Sequence, residues 1–147
     1  SIKEDISALK DNIRKSDVDE LWASHRCKPE EALRKSMEKS LLCLTAVING
    51  SLVCMFGITS DNILGQKAMI WFLATQEMNM FPKELLKHSK RFIRYFLEYY
   101  PVLYNYVDDR NKQSIKWLKW CGASMNGAQP YGVDGLPFHY FSFNEHN

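Results

Sequence analysis

A chain of 147 residues is the size of one domain and can bury a core without disulfide or metal staples. Hydrophobic residues at 46% and aromatics at 13% exclude a disordered chain, and a formal net charge of +2 gives no ground of its own for a nucleic-acid or membrane partner. Four cysteines, at 27, 43, 54 and 121, form no CxxC pair, so reduced and mostly buried thiols are expected and no metal site.

In chain order, "ALKDNIR" alternates Leu9, Asp11 and Ile13 and predicts an opening strand. "KSDVDELW" sets Glu20 three residues after Asp17, the spacing of a capping box, ahead of a helix through Val18, Leu21 and Trp22. "HRC", His25 to Cys27, lacks the second pair of ligands that zinc needs. "KPEEALRKSMEKS" has Pro29 near a helix start, acids in its first turn and bases later, an order that suits the helix dipole. Two apolar runs, "LLCLTAVI" and "SLVCMFGI", are joined by Asn49-Gly50. A type I′ turn needs positive φ at both central residues, which Asn and Gly tolerate best, so a hairpin is expected.

The turn-like "TSDNILGQ" leads to "KAMIWFLAT", Lys67 to Thr75, short and almost unbroken in apolar residues, as a strand buried on both faces would be. After Pro82 the period becomes helical, with Leu85, Leu86, Phe92, Ile93, Phe96, Leu97 and Tyr100 recurring until Pro101. "VLYNYV" is the next strand and "DDRN" a loop. In "NKQSIKWLKWCGA", Asn111 is an N-cap, Ile115, Leu118 and Cys121 share a face, and Gly122 stops the helix. The loop "NGAQPYGVDGLP" precedes a last strand, "PFHYFSF". No apolar run reaches the roughly 20 residues of a membrane helix, and no signal-peptide pattern is visible. No repeat interrupts the chain, which is expected to be one domain, 1–147.

This element order resembles that of the GNAT acyltransferases. The family's last helix follows N-x-x-A-x-x-L-Y-x-x-x-G-F, and Asn111, Ser114, Trp117, Leu118, Gly122 and Ala123 fall on it without a gap. The resemblance implies an α/β (α+β) fold, with a mixed, mostly antiparallel twisted sheet flanked by about four helices. A narrower resemblance runs from "MIWFLATQEM" through "LLKHSKRFIRYFLEYYPVLYNYVDDRNKQSIKWLKWCGASM". This stretch is similar to the GNAT-like internal virion or assembly proteins of short-tailed phages.

Two departures concern chemistry. GNAT enzymes follow the fourth strand with a loop like Q/R-x-x-G-x-G/A, where bare backbone approaches the CoA pyrophosphate. Here the stretch is "TQEMNMFPKELLK", no glycine lies between Gly65 and Gly122, and Pro82 removes an amide donor. Lys83, Lys87 or His88 would have to hold phosphate as charges. The family's tyrosine, which protonates the leaving thiolate, falls at Leu118. Tyr104, Tyr106 and Tyr131 could replace it, although strand aromatics usually belong to the core. If the chain is an enzyme, Glu77 and Asp108 are the candidate bases. The resemblance then puts the backbone of Thr75 beside the acyl amide and Asn111 near the CoA arm.

The resemblance therefore implies a catalytically degenerate virion structural or assembly component, made in the host cytoplasm and carried into the virion. It would bind other phage virion proteins through Trp117, Trp120, Tyr99 and Tyr100, as part of an oligomeric assembly, with no cofactor. The alternative is an atypical N-acetyltransferase using acetyl-CoA and an amine. An open gap between the strands of Thr75 and Tyr104 would favour it, and a gap plugged by Phe72, Met78 or Phe81 would count against it. Nucleic-acid binding through Lys87, Lys90, Arg91 and Arg94 is not expected, because acids elsewhere nearly balance them. A membrane partner is not expected either. His139 is read as structural and His146 as exposed.

Overall fold

The structure is a computed structural model describing residues 13–26, 28–48, 50–60, 66–75 and 82–144. Glu77, Met78, Phe81, Cys27 and His146, and all of the expected opening strand but Ile13, lie outside the described residues. The elements run α1 (Lys15–His25), α2 (Pro29–Lys39), β1 (Ser40–Ile48), β2 (Ser51–Ser60) and β3 (Lys67–Ala74). They continue with α3 (Pro82–Leu97), β4 (Val102–Asp108), α4 (Lys112–Trp120), β5 (Ser124–Met125), β6 (Gln129–Tyr131) and β7 (Leu136–Asn144). One sheet holds all seven described strands in the order β1-β2-β3-β4-β7-β5, with β6 beside β7. Among the described strands only the β3–β4 pairing is parallel. This is the mixed, mostly antiparallel sheet that the resemblance implied, with four helices among the described residues.

The hairpin forms where Asn-Gly stands: Ile48 faces Ser51 across the turn, and Gly50 takes φ +80°, a conformation costly for most side chains. The unbroken apolar run of β3 has a direct cause, since alternate residues serve two cores. Ala68, Ile70, Phe72 and Ala74 pack with Ile93 and Phe96 of α3 and Leu118 of α4. Trp71 and Leu73 pack with Met55 and Ile13, and Leu21 of α1 lies against them. Phe96 and Leu103 are fully buried. Burying a side chain of that size stabilises by about 1.5–3 kcal/mol. The helix α4 ends as its sequence implies, with Gly122 at φ +101° and the Ala123 N–H donating to the Leu118 carbonyl.

Two expectations need correction. Asp17 and Glu20 form no capping box: α1 starts after Arg14 without a side-chain cap bond, and both acids reach across to other elements. The stretch from Asn126 to Pro137 is not wholly loop, because Gln129–Tyr131 pairs with Leu136–Phe138 as β6.

Candidate functional site

The strands β3 and β4 pair over three positions, Lys67 with Val102, Ala68 with Leu103 and Met69 with Tyr104, and then part. A splay of this kind exposes backbone donors and acceptors that need partners. Here the chain supplies partners at the root and at the outer ends. The Asn105 Nδ2 donates to the Ile70 carbonyl at 2.6 Å, spanning the opening at its root. Further out, the Arg14 N–H donates to the Ala74 carbonyl at 2.8 Å, and the Asp17 Oδ2 accepts from the Ala74 N–H at 2.9 Å. On the facing strand the Glu20 Oε1 accepts from the Asp108 N–H and from the Asn111 Nδ2, both at 3.0 Å. The first turns of α1 thus bind both lips of the splay.

Arg14 and Asp17 are 5% and 3% exposed. The guanidinium meets the carboxylate through Nε at 3.2 Å and Nη2 at 2.6 Å, and Nη2 also reaches the Ser114 hydroxyl at 3.3 Å. Its Nη1 has no partner, and the group lies 5.7 Å from the centre of the Phe72 ring. A buried ion pair gains strongly from mutual attraction and loses strongly by desolvation, so removing either member costs far more than the pair itself contributes. Burial pushes the Glu20 carboxyl from 4.5 to about 7; the nearby Asp17 and Asp108 add to the rise, while the bonds from Asn111 and the Asp108 backbone oppose it.

Behind the splay, on the α3–α4 side of the sheet, is a cavity of about 590 Å³. Its walls are mainly apolar, with Ile70, Phe92, Phe96 and Leu118 among them, and Arg14, Glu20 and Asn105 contribute polar atoms. Phe72 does not simply plug it. Its ring lies 5.1 Å from that of Trp117, and the Trp117 Nε1 donates to the Ser89 hydroxyl at 2.9 Å, so the two rings form a wall.

The residues singled out from sequence are scattered over this frame. Leu118, where the resemblance puts the tyrosine, is 6% exposed and lines the cavity. Thr75 is buried, with its N–H donating to Val53 and its hydroxyl to the carbonyls of Leu52 and Val53, so both groups turn toward β2. Asp108 is 1% exposed, and Arg110 holds both carboxylate oxygens, the shortest contact being 2.6 Å. Asn111 caps α4 by accepting from the Ser114 N–H at 3.2 Å. Lys83 and Lys87 are exposed on α3.

Trp117 faces inward and Trp120 outward, 49% exposed, with the Lys90 ammonium 4.2 Å from its ring centre. Tyr99 is exposed and Tyr100 half-buried. Tyr106 stacks on Tyr131 at 4.0 Å and Tyr104 on Tyr140 at 6.0 Å. His139 bridges the Asn126 carbonyl and Asp109. Arg14 and the tertiary role of Glu20 escaped the sequence reading, because their partners lie far along the chain. Among the described residues, no group of acids, histidines and cysteines could hold a metal, and no helix is long and apolar enough to cross a membrane.

A sheet with one parallel splayed pair, flanked by these helices, is the GNAT acyltransferase fold. Similar solved structures include a GNAT-family acetyltransferase from Bacillus anthracis, with TM-score 0.69, 13% identity, and 98% of this chain and 91% of that one covered. Another is AAC(6')-Ib in complex with ribostamycin and coenzyme A, with TM-score 0.70, 13% identity and coverage of 98% and 90%. A third is a Bacillus subtilis acetyltransferase in complex with CoA, with TM-score 0.63, 10% identity and coverage of 89% and 93%. At such identities the likeness is one of fold. Residues 50–128 match the model of the family described as bacteriophage T7, probable scaffold protein Gp13, and the chain belongs to that family. No curated protein matches it significantly in sequence.

Proposed function

We propose that the chain is an assembly component of a phage particle that keeps the acyltransferase fold without the chemistry. The observation that carries this reading is the occupied splay. A ligand laid along it as an extended, amide-bearing arm would compete for the Ala74 N–H and carbonyl and the Asp108 N–H, which α1 already holds. The family match supports a role with other virion proteins. In that role the chain works by contact, as one part of an oligomeric assembly made in the host cell.

Titration calorimetry with acetyl-CoA and CoA tests it. No heat and no thermal shift at millimolar ligand are expected. Micromolar binding would overturn the reading.

A second reading, N-acetyl transfer from acetyl-CoA to an amine, draws support from the cavity and from Glu20. A carboxyl near neutrality in the cavity wall could take the proton of an attacking amine. That role excludes Asp108, whose oxygens Arg110 engages, and needs α1 to lift from the splay. Time-resolved acetylation of a panel of primary amines checks it. Turnover that Glu20→Gln abolishes would support it, and none is expected.

A further inference from the structure

The outer side of the α3–α4 layer has an unbalanced composition. On α3, Lys87, Lys90, Arg91 and Arg94 are all exposed and follow the i, i+3, i+4, i+7 spacing of one helix face, a stripe about 10 Å long. Exposed Lys116 and Lys119 lie on α4. The two helices are tied by the Trp117–Ser89 bond and by Lys90 over Trp120, so the two sets adjoin. None of these six cations has an ion-pair partner among the described residues, where the pairs are Arg14–Asp17, Arg26–Asp134, Arg34–Glu30, Lys35–Glu31, Arg110–Asp108 and Lys112–Asp109, besides His139 with Asp109. Interleaved with them are the exposed rings of Tyr95, Tyr99 and Trp120, at 40%, 55% and 49%.

We infer that this surface docks an acidic segment of another protein, its carboxylates on the six cations and its apolar side chains against Trp120, Tyr95 and Tyr99. The inference rests on the assembly reading and names the chemistry of the partner. A second copy of the chain fits poorly. Six of its described acids are already in ion pairs, and Glu20 is engaged by Asp108 and Asn111. Asp19 and Glu38 lie on separate helices, and Glu98 sits at the end of this surface itself, beside Tyr95. Nucleic acid fits less well than protein because base stacking needs open ring faces. Lys90 covers one face of Trp120, and Tyr95 and Tyr99 meet edge-on at 5.4 Å with their hydroxyls 3.3 Å apart. Half-exposed Trp and Tyr beside Arg are instead the residue types that anchor protein interfaces, with opposite charge steering the encounter.

The test uses the full chain and fluorescence anisotropy with three probes. They are a labelled helical peptide of roughly 16 residues rich in Glu, Leu and Trp, its Glu-to-Gln analogue, and an oligothymidine of about 20 nucleotides. The acidic peptide is expected to bind, to weaken about tenfold between roughly 50 and 300 mM salt, and to outbind both other probes. The double change Arg91→Glu and Arg94→Glu, on exposed positions, is expected to weaken it at least about tenfold, and Trp120→Ala about fivefold. No binding, binding indifferent to the charge reversal, or oligothymidine binding as tightly would each overturn the proposal. Acetyl-CoA titration of the same variant separates the two failures. Acetyl-CoA binding counts against the assembly reading alone, and loss of peptide selectivity against the surface alone.

Discussion

The helix pair α3–α4 has two sides, and they treat polar groups in opposite ways. On the inner side, toward the splay, the Ile70 carbonyl, both backbone groups of Ala74 and the Asp108 N–H are bound by the chain itself, through Asn105, Arg14, Asp17 and Glu20. On the outer side six cations stand without carboxylate partners among the described residues. The difference follows from solvent. An unpaired group away from solvent costs several times what it costs in water, so the ends of the splay are tied by internal bonds and the surface can hold charge in reserve.

That contrast can be broken at its strongest point first. Asp17→Ala would strand the buried Arg14 charge and the Ala74 N–H together, at an expected cost of about 3–5 kcal/mol in urea unfolding. A cost under about 1 kcal/mol would mean that water reaches Arg14, and that the inner side is not closed.

Glu20 gives the next largest effect, through pH. Its folded carboxyl holds a proton up to about 7, against 4.5 ordinarily, so the folded state binds the proton more tightly than the unfolded chain. Wild-type stability is therefore expected to fall as pH rises through that window and to level above it. Glu20→Gln keeps an acceptor for Asp108 and Asn111, loses the slope, and should exceed wild type above the window by up to about 3 kcal/mol. A variant weaker at every pH would show that the charge itself holds the lip of the splay.

Restoring the family tyrosine sharpens the comparison. Leu118 is packed among Phe72, Phe96 and Trp117, so Leu118→Tyr is expected to destabilise by about 1–3 kcal/mol through overpacking. It should give no acetyl transfer in a coupled thiol-release assay. The smallest effect belongs on α2, where Arg34 meets Glu30 at 3.3 Å with both side chains well exposed. Arg34→Ala should change stability by less than about 0.5 kcal/mol. A larger loss would mean that surface pairs here matter as much as the buried one.

What could be read in the sequence was what local chemistry decides. Asn49-Gly50, the apolar run from Lys67, the helical period after Pro82 and the Asn111–Gly122 frame each carry their signal within a dozen residues, and each gave its element. The failures share one cause. Asp17 and Glu20 sit at capping-box spacing, but their structural partners, Ala74 and Asp108, are 57 and 88 residues away. Nothing near Arg14 marks it as buried. The short β6 escaped because three residues, Pro130 among them, carry too little pattern and take their shape from β7. The absence of glycine after β3 was legible; the way α1 fills the space beside it was not.

The clasp of α1 on the splay also sets how the molecule breathes. Beyond the three paired positions and the Asn105–Ile70 bond next to them, the contact between β3 and β4 runs through one short stretch of helix that touches both. Detaching that stretch would expose the amides of Ala74 and Asp108 to solvent in a single opening, although 34 residues separate them. In native-state hydrogen exchange the two should therefore share one opening free energy and one denaturant dependence, below those of the Leu103 and Phe143 amides in the paired sheet.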